Sequence, residues 1–237
     1  MAKVYCVHLI NMLGFNLLFQ DVDIVWYKNP LEVFDDSNHD DFDLYFQDDG
    51  ARSARYAPYS PNSGFYFVRH NERTEYLFSI FSRMGDLVQI SGSHQSALNS
   101  LIAEHASWRG LRVKVFGRDD PVGRKFPGGF HYHQRKDFMR DMIDGKEEPY
   151  IFHMSWTHNK DNKQKFFQQM DMWYVEEKCV NTKADDIDGW DRNKAESLLS
   201  RCCLAQPDFR CHYRDKPSQK PCKDSPPIDK GRPSFWK

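Results

Sequence analysis

Apolar runs and amphipathic stretches alternate along the chain, and this pattern predicts an α/β fold. Strands are predicted at residues 15–21, 43–49, 64–69, 111–116 and 149–154, and helices at residues 2–13, 30–34, 71–84, 93–106 and 159–175. Strands that alternate with helices favour a layered sheet with helices packed against it. Ligands of such sheets bind beyond the carboxyl ends of the strands, so polar residues at strand ends are the first candidates for a site.

The first helix is predicted from an apolar stripe, and Gly14 is expected to end it. The stripe is formed by Tyr5, Leu9, Met12 and Leu13. His8 and Asn11 interrupt the apolar character of this segment, and no small-residue cleavage site follows it. A folded helix is therefore favoured over a signal peptide.

The composition is typical of a globular chain that is rich in aromatic residues. Of the 237 residues, 40% are hydrophobic and 15% are aromatic, which argues against disorder over most of the length. The formal net charge is -1, whereas nucleic-acid-binding proteins usually carry a basic excess, so nucleic acid is not expected as a partner. No apolar run reaches the ~20 residues that a membrane span requires.

Cysteines are concentrated near the end of the chain, and they divide it into a predicted domain of residues 1–178 and an irregular Cys/Pro-rich extension of residues 179–237. The cysteines of the extension are Cys179, Cys202, Cys203, Cys211 and Cys222. They indicate disulfides and a secretory compartment; the alternative is a zinc site, but the C-x-x-C spacing is missing and only His212 offers a nearby nitrogen. Because their number is odd, one of them pairs with Cys6, stays free or crosslinks another chain.

The first predicted strand ends at Asp21, and a second carboxylate, that of Asp23, follows two residues later. In an extended segment, Asp21 and Asp23 point the same way, and apolar residues flank them. Such a pair repels itself and loses hydration unless a cation lies between the carboxylates or the strand ends in solvent. Asp48 and His153 also fall at predicted strand ends, which makes a shared site more probable than scattered polar residues.

The acidic pair begins the first of three motifs that resemble the nucleotide-diphospho-sugar transferases, GT-A-fold glycosyltransferases that include plant xylosyl- and arabinosyltransferases. DVDIVWYKNP at residues 21–30 is similar to the family's DVDxVWxxNP signature. NSGFYFVR at residues 62–69 is similar to its Asn-Thr-Gly-Phe segment, and IFHMSWTHNKDNK at residues 151–163 to its late histidine motif. The motifs stand in the expected order and span most of residues 1–175, so the resemblance implies a GT-A-like mixed sheet flanked by helices.

The resemblance also implies a metal-dependent glycosyltransferase. It would move a sugar from a nucleoside-diphosphate donor, a UDP-sugar by expectation, to a hydroxyl of a glycan or glycoprotein acceptor, with retention of configuration. Asp21 and Asp23 would be the catalytic acidic pair, and together with His153 they would bind Mn²⁺ or Mg²⁺. An imidazole among the ligands favours Mn²⁺.

Further contacts follow from the same resemblance. Lys160 and Lys163 would bind the diphosphate of the donor. Contacts to the donor or acceptor sugar are implied for Asp48, Asp49, Asn62, His94, Gln95 and Trp156. The expected location is the Golgi lumen, with a membrane contact only through an N-terminal anchor that this chain lacks.

The chain departs from the family pattern at two points. His94 and Gln95 stand where the family often has Asp-Gln, which leaves the identity of the donor sugar open. The family's first strand and base pocket normally precede the helix that begins at Ala2, so an abbreviated domain is expected.

Two other functions remain alternatives. A non-catalytic carbohydrate-binding relative in the secretory pathway could keep the fold and lose the pocket. A metal-dependent phosphoesterase could use the acidic pair, with His131, His133 and Asp137 as its reserve of further ligands. Each acidic or basic residue could also belong to an ordinary solvated turn or helix face, and His153 could be an interior histidine.

Overall fold

A computed structural model describes residues 1–34, 41–51, 53–129, 131, 136–155, 157, 160–180, 196–197 and 201–227. The helices are α1 (Ala2–Met12), α2 (Leu31–Phe34), α3 (Glu72–Arg83), α4 (Gly85–Ser91), α5 (His94–Arg109), α6 (Lys136–Ile143) and α7 (Lys160–Gln169). The strands are β1 (Leu17–Gln20), β2 (Ile24–Trp26), β3 (Leu44–Asp48), β4 (Pro61–Val68), β5 (Val113–Phe116) and β6 (Ile151–His153). Short 3₁₀ turns lie at Ala54–Tyr56, Gly123–Lys125 and Glu177–Cys179.

A mixed four-stranded sheet in the order β1-β4-β3-β5 forms the centre of the fold. Strand β4 is antiparallel to β1 and β3, whereas β5 is parallel to β3. The antiparallel strands β2 and β6 form a separate pair. The register of β3 against β4 shifts between Phe46 and Asp48, and β-bulges of this kind re-aim the side chains next to them.

Neighbouring residues of a strand point to opposite faces of the sheet, and both faces of the four-stranded sheet are buried. Leu44 and Phe46 pack with residues of α1, α3 and α5, whereas Tyr45 between them packs with Phe34 and Phe126. The predicted α/β class, with a mixed sheet flanked by helices, is confirmed.

Helix α1 forms where predicted, but it packs through a different face. Its buried residues are Val4, Val7 and Asn11, which follow a helical spacing. The apolar stripe of Tyr5, Leu9, Met12 and Leu13 is exposed instead. The helix ends before Gly14, whose φ of 87° is in the left-handed region that favours glycine.

The ends of the later helices follow local hydrogen bonding. Ser93 caps α5, since its hydroxyl accepts a hydrogen bond from the backbone N–H of Ser96 at 3.1 Å. Helix α3 ends at Arg83 without help from a glycine, and Gly85 begins α4.

The described residues separate into two compact units. One comprises Met1–Phe138 and Gly145–Trp156, and the other comprises Met139–Asp144 and Thr157–Lys237. The domain boundary at residue 178 stays a prediction. None of the helices in the described part of the chain has the length and apolar character that a bilayer crossing requires.

After α7 the C-terminal unit is largely irregular, and it contains two disulfides, Cys179–Cys202 and Cys211–Cys222. In the same unit, the buried amide of Gln169 donates to the carbonyl of Tyr213 at 2.9 Å and accepts from its N–H at 2.9 Å. The predicted disulfide-bonded extension is thus confirmed.

Candidate functional site

The backbone brings both aspartates and the histidine to one place. Asp21 follows the last residue of β1, and its N–H donates to the carbonyl of Gly64 on β4 at 2.7 Å. Asp23 precedes β2, and its carbonyl accepts from Met154 at 3.0 Å. Since Ile24 is paired with His153 in the β2–β6 register, the strand ends lie side by side.

The side chains converge on one point. One ligand atom from each of Asp21, Asp23 and His153 lies within 4.8 Å of the others. His153 Nε2 is 3.4 Å from Asp23 Oδ1. The exposed fraction of the side chain rises from 2% for His153 and 13% for Asp23 to 28% for Asp21, so the cluster is closed on the histidine side and open on the Asp21 side.

Gln47 determines which imidazole nitrogen faces the cluster. Its Nε2 donates to the carbonyls of Phe126 at 2.8 Å and Pro127 at 3.0 Å, which fixes the orientation of the amide, because carbonyl oxygens only accept. Gln47 Oε1 therefore accepts from Nδ1 of His153 at 2.6 Å. In the neutral imidazole this leaves a lone pair on Nε2, opposite the Asp23 carboxylate.

Gly64 provides room for the cluster. A Cβ at this position would lie 2.7 Å from Asp21 Oδ2 and 2.7 Å from His153 Cε1, closer than real contacts allow. Any other residue at position 64 would therefore displace the side chains of Asp21 and His153.

Lys3 neutralises part of the charge of the cluster. Its ammonium group forms an ion pair with Oδ1 of Asp21, and 42% of the lysine side chain is exposed. The ammonium also lies 5.7 Å from the ring centroid of Phe19. Lys3 thus reaches the cluster from the first turn of α1.

A second polar network lies beside Gly64 and contains four of the residues expected to contact a sugar. Asn62 accepts from the N–H of Gly64 at 2.7 Å and donates to Asp49 at 3.0 Å. Ser63 joins the start of α5 to this network: its hydroxyl is 3.1 Å from His94 Nε2 and donates to Gln95 Oε1 at 3.2 Å.

Two groups of this network have shifted pKa values. Burial raises the pKa of the Asp49 carboxyl, and a hydrogen bond with Gln95 opposes that effect only in part. Burial lowers the pKa of His94, and the positive charge of Lys3 lowers it further. The surroundings of the network therefore disfavour the charged form of both side chains.

The structure says less about the other residues that were expected to contact the donor or the acceptor. Asp48 accepts from the N–H of Gly50 at 2.8 Å in a local turn. Lys160 and Lys163 are in α7, which belongs to the C-terminal unit, and their role toward a diphosphate stays a prediction. Trp156 lies outside the described residues.

The additional metal ligands that a phosphoesterase would need do not form a cluster within the described part of the chain. His131 is buried, and its ring packs on Phe138 at 4.5 Å between centroids. Asp137 lies in the first turn of α6 and is exposed, and His133 lies outside the described residues. Within the described part of the chain, Asp21, Asp23 and His153 are the group of His, Cys, Asp and Glu side chains that could hold a metal.

Sequence reasoning missed Gln47, Gly64, Ser63 and Lys3 as parts of the site. Gln47 carries a signal in retrospect, because an amide within the apolar run LYFQ must be hydrogen-bonded when buried. Lys3 has no comparable signal, since a lysine at the start of a helix is an ordinary surface residue.

The donor set fits a divalent cation. Two carboxylates and one imidazole suit Mn²⁺, and they also suit Mg²⁺ when substrate oxygens complete the shell. Gln47 supplies the outer hydrogen bond that metal-binding histidines typically make.

Fold and cluster together define an α/β protein with a potential Asp-Asp-His metal site beside the ends of β1, β2 and β6. The family model described as nucleotide-diphospho-sugar transferase matches residues 1–167. This match covers more than half of the chain, which therefore belongs to the nucleotide-diphospho-sugar transferase family.

Two curated relatives match a larger part of the chain at low identity. The UDP-galactose:fucoside alpha-3-galactosyltransferase of Dictyostelium discoideum is 26% identical over 212 residues, 81% of this chain and 30% of the relative. The UDP-D-xylose:L-fucose alpha-1,3-D-xylosyltransferase 3 of Arabidopsis thaliana is 26% identical over 195 residues, 74% of this chain and 47% of the relative. The chain thus spans less than half the length of either relative.

Proposed function

We propose that the protein is a glycosyltransferase that moves a sugar from a UDP-sugar to an acceptor hydroxyl and needs a divalent metal. The observation that carries the proposal is the convergence of Asp21, Asp23 and His153, with the Nε2 lone pair of His153 turned inward by Gln47. The family and the UDP-sugar specificity in the names of both relatives support the donor class.

The proposed reaction gives a cation a role at this place. Negative charge develops on the diphosphate as its bond to the sugar breaks, and a divalent metal held there would stabilise that charge as a Lewis acid. Asp21, Asp23 and His153 would hold the metal, preferably Mn²⁺ because of the imidazole. We also propose that Lys160 and Lys163 bind diphosphate oxygens.

The polar network of Asp49, Asn62, Ser63, His94 and Gln95 is proposed as the sugar-binding region. Its amide, hydroxyl and imidazole groups can each donate and accept hydrogen bonds, as sugar hydroxyls do. An α-linked UDP donor that gives an α-linked product retains its configuration, and both relatives are named for alpha transfer. Retention is therefore part of the proposal, and fucosides are the first acceptors to test.

We further propose that the protein works in the Golgi lumen or elsewhere in the secretory pathway. Its two disulfides require an oxidising compartment for their formation.

Calorimetry with UDP tests the metal site without any knowledge of the sugar. UDP is titrated into the protein with Mn²⁺ and, separately, with a chelator. We expect binding that depends on Mn²⁺, and Asp23→Asn should weaken it at least tenfold, because a ligand carboxylate is lost while the shape is kept.

Asp119→Asn is the matched control, since it removes the same charge from a side chain that is 70% exposed. It should leave UDP binding unchanged. Equal UDP binding with Mn²⁺ and with chelator would contradict the proposed role of the metal. The absence of UDP binding in both conditions would contradict the transferase proposal and favour a carbohydrate-binding relative.

A further inference from the structure

Lys3 is a basic residue that contacts the acidic cluster directly. Its ammonium is bound to Oδ1 of Asp21, a carboxylate that the proposed function assigns to the metal. Since 42% of the Lys3 side chain and 28% of the Asp21 side chain are exposed, the pair lies at the open side of the cluster, where a ligand would enter.

The charges show why this contact affects metal binding. Asp21 and Asp23 carry two negative charges, and an imidazole that binds a metal adds none. A divalent cation would neutralise the pair completely, so the ammonium of Lys3 leaves an excess of one positive charge when the metal binds. Metal alone is thus opposed by Lys3, both by competition for Asp21 and by repulsion.

A nucleoside diphosphate reverses this balance. Its oxygens share the metal with the protein carboxylates, so they lie against the same ion as Asp21. An ammonium on a flexible four-carbon stem can then move from the Asp21 carboxylate to a phosphate oxygen. The charge that opposes metal alone would attract metal and diphosphate together.

We propose that Lys3 couples the binding of the divalent metal to that of the donor diphosphate, as a positioning residue whose ammonium is exchanged between Asp21 and the nucleotide. This inference rests on the proposed function for the identity of the anion. The part of the inference that concerns metal binding without nucleotide depends only on the ion pair between Lys3 and Asp21. Coupling between two ligands is reciprocal, so each should tighten the binding of the other.

Lys3→Met tests the proposal, since methionine keeps an unbranched stem and helix propensity but removes the charge. The first measurement follows free Mn²⁺ by electron paramagnetic resonance, without nucleotide. We expect Lys3→Met to bind Mn²⁺ about two- to fivefold more tightly than the wild type, the range of a partly exposed ion pair.

The second measurement is the affinity for UDP at saturating Mn²⁺, by calorimetry. Here the same variant should bind about two- to tenfold more weakly, because the ammonium no longer reaches the phosphate. Lys3→Arg, which keeps the charge, should restore most of the UDP affinity. Opposite effects on the two ligands are the signature of coupling, because a merely structural role would change both affinities in the same direction.

Lys28→Met is the matched control. Lys28 also forms an ion pair, with Glu148 at 2.6 Å, and 48% of its side chain is exposed. It should change neither affinity. Unchanged or weaker Mn²⁺ binding by Lys3→Met would overturn the proposal. Tighter Mn²⁺ binding by Lys3→Met, in a protein that binds no UDP in any form, would support the ion competition at Asp21 and refute the proposed donor instead.

Discussion

At the scale of single residues, the site depends on side chains that lie behind the proposed metal ligands. Gln47 holds the imidazole of His153 by one hydrogen bond and is itself held by the carbonyls of Phe126 and Pro127. Gly128 leaves space for this amide, since a Cβ there would lie 2.9 Å from Gln47 Nε2. The direction of the His153 lone pair is therefore determined by the loop that contains these carbonyls.

Replacing Gln47 by leucine should weaken Mn²⁺ binding about 10- to 100-fold, the usual effect of losing the outer partner of a metal-binding histidine. The leucine leaves the Nδ1–H of His153 without an acceptor, so the ring is free to turn. Electron paramagnetic resonance of free Mn²⁺ measures the affinity, and circular dichroism checks the folded fraction.

Gln89→Leu, the same substitution at an exposed position of α4, is the control and should leave Mn²⁺ affinity unchanged. If Gln47→Leu only lowered the melting temperature and the folded protein bound Mn²⁺ as before, Gln47 would be a structural residue without influence on the site.

At the scale of elements, a buried carboxylate joins β3, α3 and β5. Asp43 precedes β3, and it accepts hydrogen bonds from Arg73 at 2.7 and 2.8 Å and from Asn71 at 2.9 Å, both at the start of α3. It also accepts from the backbone N–H of Arg112, before β5, at 2.8 Å. Burial alone would raise the pKa of Asp43, but these donors outweigh it and hold the pKa below the usual value.

Asp43→Asn should therefore destabilise the fold by about 2 kcal/mol at pH 7, because the charged acceptor of several partly buried donors is lost. The pKa of Asp43 is lower in the folded state than in the unfolded chain. Its ionised form thus stabilises the protein above the unfolded pKa, and this contribution is lost as the pH falls through the folded pKa.

Urea unfolding of wild type and variant at pH 7 and at pH 3 measures the difference in free energy of unfolding. The difference should shrink on acidification, since the wild type loses the same interaction. Asp119→Asn should give no comparable difference at either pH. A constant difference across this pH range would mean that the charge of Asp43 is not what stabilises the junction.

The strand ends were predictable from the sequence, and the side chains around them were not. The apolar run before Asp21 and the run into His153 located both ends, because strand burial leaves a clear pattern. The face of α1 was misjudged since the helix is apolar on more than one side, and tertiary packing chose Val4 and Val7. The contacts of Gln47 and Lys3 join residues 106 and 18 positions apart, which no local pattern encodes.

At the scale of the whole molecule, order comes from different sources in the two compact units. The N-terminal unit contains the sheet with apolar layers on both faces. The C-terminal unit contains both disulfides, whereas Cys6 and Cys203 are free and exposed among the described cysteines. A segment with little regular structure loses much conformational entropy on folding, and crosslinks reduce that loss by restricting the unfolded chain.

Removing the Cys211–Cys222 crosslink should accordingly destabilise the C-terminal unit while leaving the sheet intact. For a loop with a sequence separation of 11, chain entropy gives a loss of about 3 kcal/mol in the double variant Cys211→Ser/Cys222→Ser. Hydrogen–deuterium exchange should show faster exchange in residues 201–227 and unchanged protection of β3 and β4. Cys203→Ser is the control and should leave both regions as in the wild type, because Cys203 forms no disulfide. Unchanged exchange in residues 201–227 of the double variant would mean that the hydrogen bonds of Gln169, not the crosslink, maintain the order of this unit.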